Sequence, residues 1–256
     1  MKILAVDVGN TSAFFTYCDN GKFKKGFRLA TRTITKISPK ALGKKLPLQE
    51  IEAALIASVV PPAGEWLKRT ISQKLKVKAL LVGKDFEAPI INAYKHPKQV
   101  GIDRLMNAVA VFSRFGTDAI VIDFGTAITF DIVSRKGVYL GGVIAPGIEI
   151  SLEALYRNTA LLPRIRLAHP KNIIGQNTVE SIRAGCSFGI GGLCDRVVEE
   201  IIKQHKLKPA VVGTGGYAPF MRRYCARIDS IDELLTVKGI YLSYLSYKKI
   251  LTKHLI

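Results

Sequence analysis

Asp123 occupies a position in the sequence that suits a residue of a phosphate-binding site. It stands near the end of an apolar run that begins at Ala119 and is typical of a buried strand. Gly125 and Thr126 follow in a turn of small residues, whose backbone N–H groups can approach a phosphate. Buried strands also end in Asp and Gly for structural reasons alone, so this motif by itself leaves both interpretations open.

A similar arrangement occurs at the start of the chain. Lys2–Val6 predicts a strand that ends at Asp7, and Gly9–Ser12 form a turn rich in amide and hydroxyl donors. Phosphate oxygens suit these donors, and the Asp7 carboxylate is an oxygen ligand for the magnesium ion that accompanies ATP. A polar hairpin turn would explain the same residues without a ligand. No GxxxxGK[ST] motif occurs, so a P-loop NTPase is not supported.

The two segments are related by one spacing of 116 residues, from Asp7 to Asp123. We interpret this spacing as an internal duplication of a strand, an acid, a glycine turn, a second strand and a hairpin. Two similar lobes would then place their carboxylates and turns at a shared cleft. Short glycine motifs also recur by chance. The matched pairs are Asp7 with Asp123, Gly9 with Gly125, Phe14 with Phe130, and Gly21 with Gly137.

Asp103 and Arg104 follow a loop that contains Pro97 and Gly101, and they precede an apolar helix predicted over Leu105–Phe112. A helix N-terminus favours an ionised carboxylate. Asp103 could therefore act as a general base for an alcohol, and Arg104 could hold an anionic substrate or balance charge on a phosphoryl group. A helix cap and a surface ion pair are the structural alternative.

The remaining elements are predicted from periodicity and from Pro and Gly positions. Thr178 is expected to be the N-cap of a helix over Val179–Gly189. The other predicted elements are a polar connection over Thr31–Pro47 with a short helix around Pro39–Lys45, strands at Ile51–Val60, Ala79–Val82, Phe130–Val133 and Val138–Leu140, a turn at Ala145–Gly147, helices over Ala63–Leu75, Glu149–Tyr156 and Leu234–Leu245, and a short strand that enters a glycine turn within Ala210–Gly216.

Composition limits the class of protein. The 256 residues, 48% of them apolar, suffice for two lobes around one cleft. No apolar run reaches the roughly 18 residues of a membrane span, and no cleavable signal pattern precedes the first strand, so we expect a cytoplasmic protein. The four cysteines lack CxxC spacing, which predicts reduced and mostly buried thiols without a zinc site or disulfide framework.

The formal charge of +18 is unusual, with 38 Lys and Arg residues against 20 Asp and Glu residues. Such a charge raises the encounter rate with nucleotides or acidic metabolites, and it would also favour loose nucleic-acid binding. A solvated basic surface that improves solubility is the simplest interpretation.

Six motifs in this order resemble the type III pantothenate kinases over nearly the whole chain. That family belongs to the acetate and sugar kinase, Hsc70 and actin superfamily. The resemblance implies an α/β fold with two duplicated ribonuclease H-like (actin-like ATPase) lobes around a central nucleotide cleft, which we expect at residues 1–115 and 116–256. The motifs are DVGNT from Asp7, GIDR from Gly101, DFGTA from Asp123, GGVIAPG from Gly141, GQNT from Gly175 and TGG from Thr214.

The resemblance also implies an activity: ATP-dependent phosphorylation of pantothenate to 4'-phosphopantothenate, the first step of coenzyme A biosynthesis. It implies a catalytic base, Asp103, and a homodimer. Asp7 would face the magnesium of Mg-ATP, and Asp123 would bind a required K⁺ or NH₄⁺ ion. The implied nucleotide-binding residues are Asp7, Val8, Gly9, Asn10, Thr11, Ser12, Gly125, Thr126, Thr214, Gly215 and Gly216, and the implied pantothenate-binding residues are Tyr94, Gly101, Ile102, Asp103, Arg104 and Thr178.

Two other functions remain open at this point. A DNA-associated accessory transcriptional regulator of the same family would suit the positive charge, although charge is a weak indicator and nucleic acid is not the partner we expect. An ATPase or sugar kinase of the same superfamily would share the fold.

Overall fold

A computed structural model of the chain describes residues 1–46 and 51–253. The predicted connection ends at Pro47, which lies outside the described residues. The strands are β1 (Lys2–Val8), β2 (Ser12–Asp19), β3 (Lys22–Phe23), β4 (Phe27–Ala30), β5 (Ala53–Ser58), β6 (Lys78–Leu81), β7 (Ile91–Asn92), β8 (Ala119–Phe124), β9 (Ala127–Val133), β10 (Val138–Pro146), β11 (Ala210–Thr214) and β12 (Ser230–Ile231).

The helices occupy most of the segments where they are predicted. A 3₁₀ turn covers Pro97–Gln99, and a π-helical segment covers Gly185–Gly189. The α-helices are α1 (Thr31–Ile34), α2 (Pro39–Lys45), α3 (Pro61–Leu75), α4 (Ile102–Phe115), α5 (Ile148–Arg157), α6 (Thr178–Ala184), α7 (Ile190–His205), α8 (Ala218–Met221) and α9 (Leu235–Lys253).

The chain forms two compact units. Unit 1 contains Met1–Arg114, Gly137–Tyr139 and the chain from Leu234 onward, and unit 2 contains Phe115–Lys136 and Leu140–Glu233. The expected division after residue 115 remains a prediction.

Unit 1 is built on a sheet with the strand order β3-β2-β1-β5-β6, and β4 also pairs with β2. β1 is antiparallel to β2 and parallel to β5. Because Ile3–Val6 is apolar on both faces, β1 is a central strand, with one face packed against Leu67 of α3 and the other against Met106 of α4. α3 begins at Pro61, where a helix does not need the missing N–H.

Unit 2 repeats this topology with β8, β9, β11 and β12 in place of β1, β2, β5 and β6. β8 is antiparallel to β9 and parallel to β11, which is parallel to β12. β10 follows β9 as the next strand of the sheet. Ile120 and Ile122 of β8 pack with α5 and α7 residues in one buried core. The repeated strand order agrees with the duplication predicted from the sequence.

The pairing of the strands corrects one detail of the repeat. Val6 pairs with Phe15, whereas the equivalent Ile122 pairs with Phe130. Phe15, and not Phe14, is therefore the counterpart of Phe130, at a separation of 115 residues. The turn after β8 is one residue shorter than the turn after β1, so a comparison at one fixed spacing misplaces the second strand.

Three predicted element boundaries also change. α4 begins at Ile102 and so includes Asp103 in its first turn. β10 continues through Pro146, where a turn was expected. The predicted helix over Val179–Gly189 is divided into α6 and the π-helical segment, and its N-cap is Asn177 and not Thr178.

The predictions for the hairpin glycines and for the cysteines are confirmed. Gly21 and Gly137 both lie in hairpin connections with positive φ, at +82° and +70°. The four cysteines are buried, free thiols. Within the described residues, no helix combines the length and apolar content that a membrane crossing requires.

The corrected pairing predicts which phenylalanine supports unit 1. Phe15 is fully buried and stacks on Phe27 with ring centroids 4.8 Å apart. Phe15→Ala should lower the free energy of unfolding by about 3–5 kcal/mol in urea denaturation, because it leaves a cavity in the core. Phe14→Ala, at a half-buried position, should cost clearly less. Equal losses for the two variants would contradict this assignment.

Candidate active site

The first candidate phosphate loop joins β1 to β2 in unit 1. Asp7 is the next-to-last residue of β1 and is partly exposed, whereas Val8 is buried. The N–H of Gly9 donates to the Ser12 carbonyl at 3.1 Å, which closes the turn. Asn10 and Thr11 are exposed at the tip. The turn therefore presents polar groups to solvent next to a carboxylate, as a phosphate site requires.

The second candidate loop occupies the equivalent place in unit 2. Asp123 is the next-to-last residue of β8 and is partly exposed. The N–H of Gly125 donates to the Ala127 carbonyl at 3.2 Å, and Gly125 and Thr126 are exposed. The structure thus brings Asp123, Gly125 and Thr126 together at one strand end.

The TGG segment lies against this second loop. Thr214, the last residue of β11, is the pairing partner of Asp123. Gly215 has φ +88°, and a Cβ on it would lie 2.4 Å from Asp123 Oδ1 and 2.8 Å from the backbone of Phe124. Only glycine fits this close approach. Gly216 follows and is exposed, so Thr214 and Gly215 are the residues of the segment that lie directly beside Asp123.

A second glycine and a tyrosine–glutamate pair support the same loop. A Cβ on Gly147 would lie 2.0 Å from the Thr126 carbonyl oxygen. Two residues later, Glu149 accepts a hydrogen bond from the hydroxyl of Tyr217, which follows the TGG segment. Burial, together with Glu149, raises the pKa of Tyr217 to about 12, so the phenol remains a donor. Sequence reasoning missed this pair, because nothing in the sequence links two residues so far apart.

Asp103 lies in the first turn of α4, in unit 1. Its Oδ1 accepts a hydrogen bond from the N–H of Arg104 at 2.8 Å. A Cβ on Gly101 would lie 2.4 Å from the same oxygen, so glycine makes room for the carboxylate. Burial raises the pKa of Asp103, and the Arg104 N–H and the positive charge of Arg104 oppose the rise. A carboxyl with a raised pKa accepts a proton more readily than an exposed one.

Val59 connects the Asp103 loop to the first candidate phosphate loop within unit 1. Its N–H donates to the Val8 carbonyl at 3.0 Å. Its Cγ1 lies 3.4 Å from the position of a Cβ on Gly101. Val8, which follows Asp7, and Gly101, in the loop before Asp103, therefore both lie against Val59, just after β5. An apolar residue after a strand gave no sequence signal for this role.

Arg104 is held by aromatic residues of unit 1. Its side chain is only 9% exposed, and its Cζ lies 5.8 Å from the ring centroid of Tyr139. The Tyr94 ring is 6.4 Å from the same ring. Tyr139, which is fully buried, was not predicted as a site residue. A cation over an aromatic face is stabilised electrostatically, so Tyr139 helps to fix the guanidinium.

Thr178 lies in unit 2, whereas Tyr94 and Arg104 lie in unit 1. The side chain of Asn177 accepts from the N–H of Glu180 at 3.0 Å, and Glu180 accepts from the N–H of Gln176 at 3.1 Å. Asn177 and Glu180 therefore provide the cap that was predicted from Thr178. Thr178 is exposed at the first helical position, which leaves it accessible to a small molecule.

The carboxylates of Asp7 and Asp123 suit cations that are bound jointly by the protein and by a nucleotide. No group of three or more His, Cys, Asp or Glu side chains with metal-site geometry occurs in the described part of the chain. Asp7 and Asp123 each offer carboxylate oxygens beside a candidate phosphate loop. Magnesium commonly binds through one or two carboxylates together with substrate phosphates, so these residues fit such ions.

Comparison with known proteins identifies the family. A model of the type III pantothenate kinase family matches residues 3–200. The chain belongs to this family. Type III pantothenate kinases from Listeria monocytogenes serotype 4a (strain HCC23) and Syntrophus aciditrophicus (strain SB) are each 38% identical to it. Each alignment covers 94% of this chain and 96% or 98% of the relative, respectively.

Solved structures show the fold of this pantothenate kinase family member. A Campylobacter jejuni protein described as a Baf family transcriptional activator superimposes with a TM-score of 0.57 at 22% identity, covering 96% of this chain and 99% of that chain. The ethanolamine utilization protein EutJ from Carboxydothermus hydrogenoformans gives 0.55 at 14% identity, covering 94% and 89%. The family and the two repeated sheets confirm the predicted two-lobe, ribonuclease H-like α/β fold.

The close approach at Gly215 makes a prediction that does not depend on turnover. Gly215→Ala should lower the free energy of unfolding by about 1–3 kcal/mol, because its φ is positive and its Cβ would meet Asp123 and Phe124. Gly216→Ala is the matched control, since a Cβ there meets nothing within 4 Å. Chemical denaturation measures both variants. A Gly215→Ala protein as stable as the control would contradict the packing described here.

Proposed function

We propose that this chain transfers the γ-phosphoryl group of ATP to pantothenate, which yields 4'-phosphopantothenate in the first step of coenzyme A biosynthesis. The observation that carries the proposal is membership of the type III pantothenate kinase family across nearly the whole chain. The local geometry supports it, since candidate phosphate loops follow two equivalent strands and Asp103 lies in the first turn of α4. We also propose a cytoplasmic location.

Asp103 is proposed as the general base. Its Oδ1 is bound to the neighbouring N–H, which fixes the orientation of the carboxylate. The raised pKa makes the ionised form of Asp103 a better proton acceptor. Asp103 would take the proton of the pantothenate hydroxyl while the hydroxyl oxygen attacks the γ-phosphorus of ATP and ADP departs. Phosphoryl transfer otherwise needs mainly alignment and charge neutralisation.

The two turns and the TGG segment are proposed to bind the nucleotide. Val8–Ser12, together with Asp7, and Gly125–Thr126 would contact the phosphates, and Thr214–Gly216 would contact the adenosine. Asp7 would hold magnesium and Asp123 a K⁺ or NH₄⁺ ion. When bound, these cations would neutralise phosphate charge. The proposal rests on the family motifs and on the contact between Gly215 and Asp123.

Pantothenate is proposed to contact Tyr94, Gly101–Arg104 and Thr178. Arg104 is the natural partner for the carboxylate of pantothenate, because a guanidinium binds carboxylates with paired hydrogen bonds. Its position over Tyr139 limits the motion of the side chain. Thr178, released from the capping role by Asn177, would add a hydroxyl.

We further propose a homodimer, as family resemblance implies. Unit 2 offers a suitable surface, an open, largely apolar groove of about 570 Å³ between α5 and the α6–α7 segment. Leu155 and Leu193 line this groove and are 37% and 39% exposed. A second copy of the chain would remove such apolar area from water.

The DNA-associated regulator is the weaker alternative. The structural similarity to the Baf family protein occurs at 22% identity and concerns the fold alone. The relatives that align with this chain at 38% identity over nearly their full length are named as kinases. The positive charge suits nucleic acid and anionic metabolites alike, so it does not favour regulation over phosphoryl transfer.

Replacing the proposed base tests the function. Asp103→Asn should lower kcat by about two to four powers of ten in a coupled assay with pantothenate, while Mg-ATP binding stays nearly intact. A raised carboxyl pKa means that the ionised form destabilises the folded state at neutral pH, so the variant should be at least as stable as the parent. A fully active variant would exclude Asp103 as the base.

The proposed monovalent site makes a separate prediction. Replacing K⁺ and NH₄⁺ by Na⁺ should reduce turnover. Asp123→Asn should lower kcat by about tenfold or more, because the monovalent cation that would neutralise phosphate charge loses its carboxylate ligand. Asp118→Asn is the control, since Asp118 precedes the other end of β8 and accepts from the Arg135 N–H. Unchanged activity in sodium buffer would show that Asp123 does not bind a required monovalent ion.

A further inference from the structure

Thr31 contacts the first phosphate loop through two hydrogen bonds. Its hydroxyl donates to the Gly9 carbonyl at 2.7 Å, and its N–H donates to the Thr11 carbonyl at 3.0 Å. The residue is 7% exposed and is the first residue of α1, directly after β4. One buried residue therefore binds two carbonyl groups of a loop whose tip is exposed.

The direction of these bonds bears on anion binding. A phosphate is bound by N–H and hydroxyl groups, and a carbonyl oxygen that faced it would repel it. Thr31 engages the carbonyls of Gly9 and Thr11, which draws both oxygens to its own side of the loop. A loop without these bonds could turn a peptide group and present an oxygen to the anion.

The equivalent position in unit 2 supports this role. Gly147 lies 116 residues after Thr31 and stands at the corresponding junction between a strand and a helix: Thr31 is the first residue of α1, and Gly147 is the N-cap of α5. A Cβ on Gly147 would lie 2.0 Å from the Thr126 carbonyl oxygen and 2.9 Å from that of Gly125. In both repeats, the residue at this position contacts the carbonyls of its own loop. Unit 1 does so with a hydroxyl, and unit 2 with a bare backbone.

We propose that Thr31 is a positioning residue that holds the Gly9–Thr11 loop in its phosphate-binding conformation. The inference rests on the proposed nucleotide function of that loop. It adds a residue that lies outside all six motifs, in the segment between the first and second motifs. Thr31 itself need not touch the nucleotide, because it acts through the two carbonyls.

Direct binding of Mg-ADP to the full chain tests the proposal. Thr31→Val keeps the shape of the side chain but removes the hydroxyl, and it should raise the Kd of Mg-ADP about 5- to 10-fold, as the loss of one buried hydrogen bond implies. Thr31→Ser keeps the hydroxyl and should bind within about twofold of the parent. Titration calorimetry measures each Kd, and thermal unfolding measures the stability of each variant.

Thr33→Val is the matched control. The hydroxyl of Thr33 lies in the same short helix but donates to the Ala30 carbonyl at 2.7 Å, away from the loop. This variant should bind Mg-ADP as the parent does. If Thr31→Val does not fold, Thr31→Ala and Thr31→Ser form a second pair that differs in the hydroxyl alone, and the same weakening is expected for the alanine variant.

Steady-state kinetics separate positioning from general damage. The KM of ATP should rise in Thr31→Val, while the KM of pantothenate stays unchanged. Equal Mg-ADP affinity in the valine, alanine and parent proteins, or an equal rise in both KM values, would overturn the proposal, and so would a parent that binds no Mg-ADP. A parent that binds Mg-ADP but shows no pantothenate-dependent turnover would reject the proposed function and leave the role of Thr31 supported by the binding series.

Discussion

Each sheet carries a carboxylate at the end of a strand that is otherwise buried on both faces, and this placement constrains the surrounding chain. β1 and β8 admit polar side chains only near their ends, where Asp7 and Asp123 stand. Segments that approach those ends must do so with little side-chain volume. Gly215 comes so close to Asp123 that a single added carbon would lie at 2.4 Å. The glycine at position 215 is thus a consequence of bringing backbone next to a charged strand end.

Asp103 illustrates how local structure sets a carboxylate's properties. Its position in the first turn of α4 provides a neighbouring N–H and a positive charge, both of which favour the ionised form. Burial has the larger effect and raises the pKa. Gly101 permits this burial because it leaves space beside Oδ1. The result is a carboxylate with a greater affinity for a proton than an exposed one, which suits the proposed attack by an alcohol.

Much of the fold could be predicted from the sequence, because apolar runs, Pro and Gly report local structure directly. The strands that end at Asp7 and Asp123 and the glycine-rich turns after them are such local signals. Contacts between distant segments gave no signal: the Tyr217–Glu149 hydrogen bond and the position of Tyr139 beside Arg104 required coordinates. The sequence placed the N-cap at Thr178, whereas the structure has it at Asn177. Asn and Thr both suit an N-cap, so two such residues in a row leave the choice open. Whether the proposed site residues bind nucleotide and pantothenate remains a prediction.

The unequal turns after β1 and β8 have a further consequence for exchanging segments between the two repeats. If a turn becomes one residue shorter, the strand after it shifts by one position. The side chains that faced the core then move to the other face of the sheet. Here the shorter turn after Phe124 is followed by β9, which is one residue shorter than β2, and then by a four-residue connection where unit 1 has only Asn20–Gly21, so the spacing of 116 returns at Gly137. The differences in length therefore cancel within one strand and its two flanking connections. A chimaera that gave β2 the shorter turn of unit 2 would shift β2 by one position and direct Phe15 toward the other face of its sheet, so a turn and the strand after it can be exchanged only together.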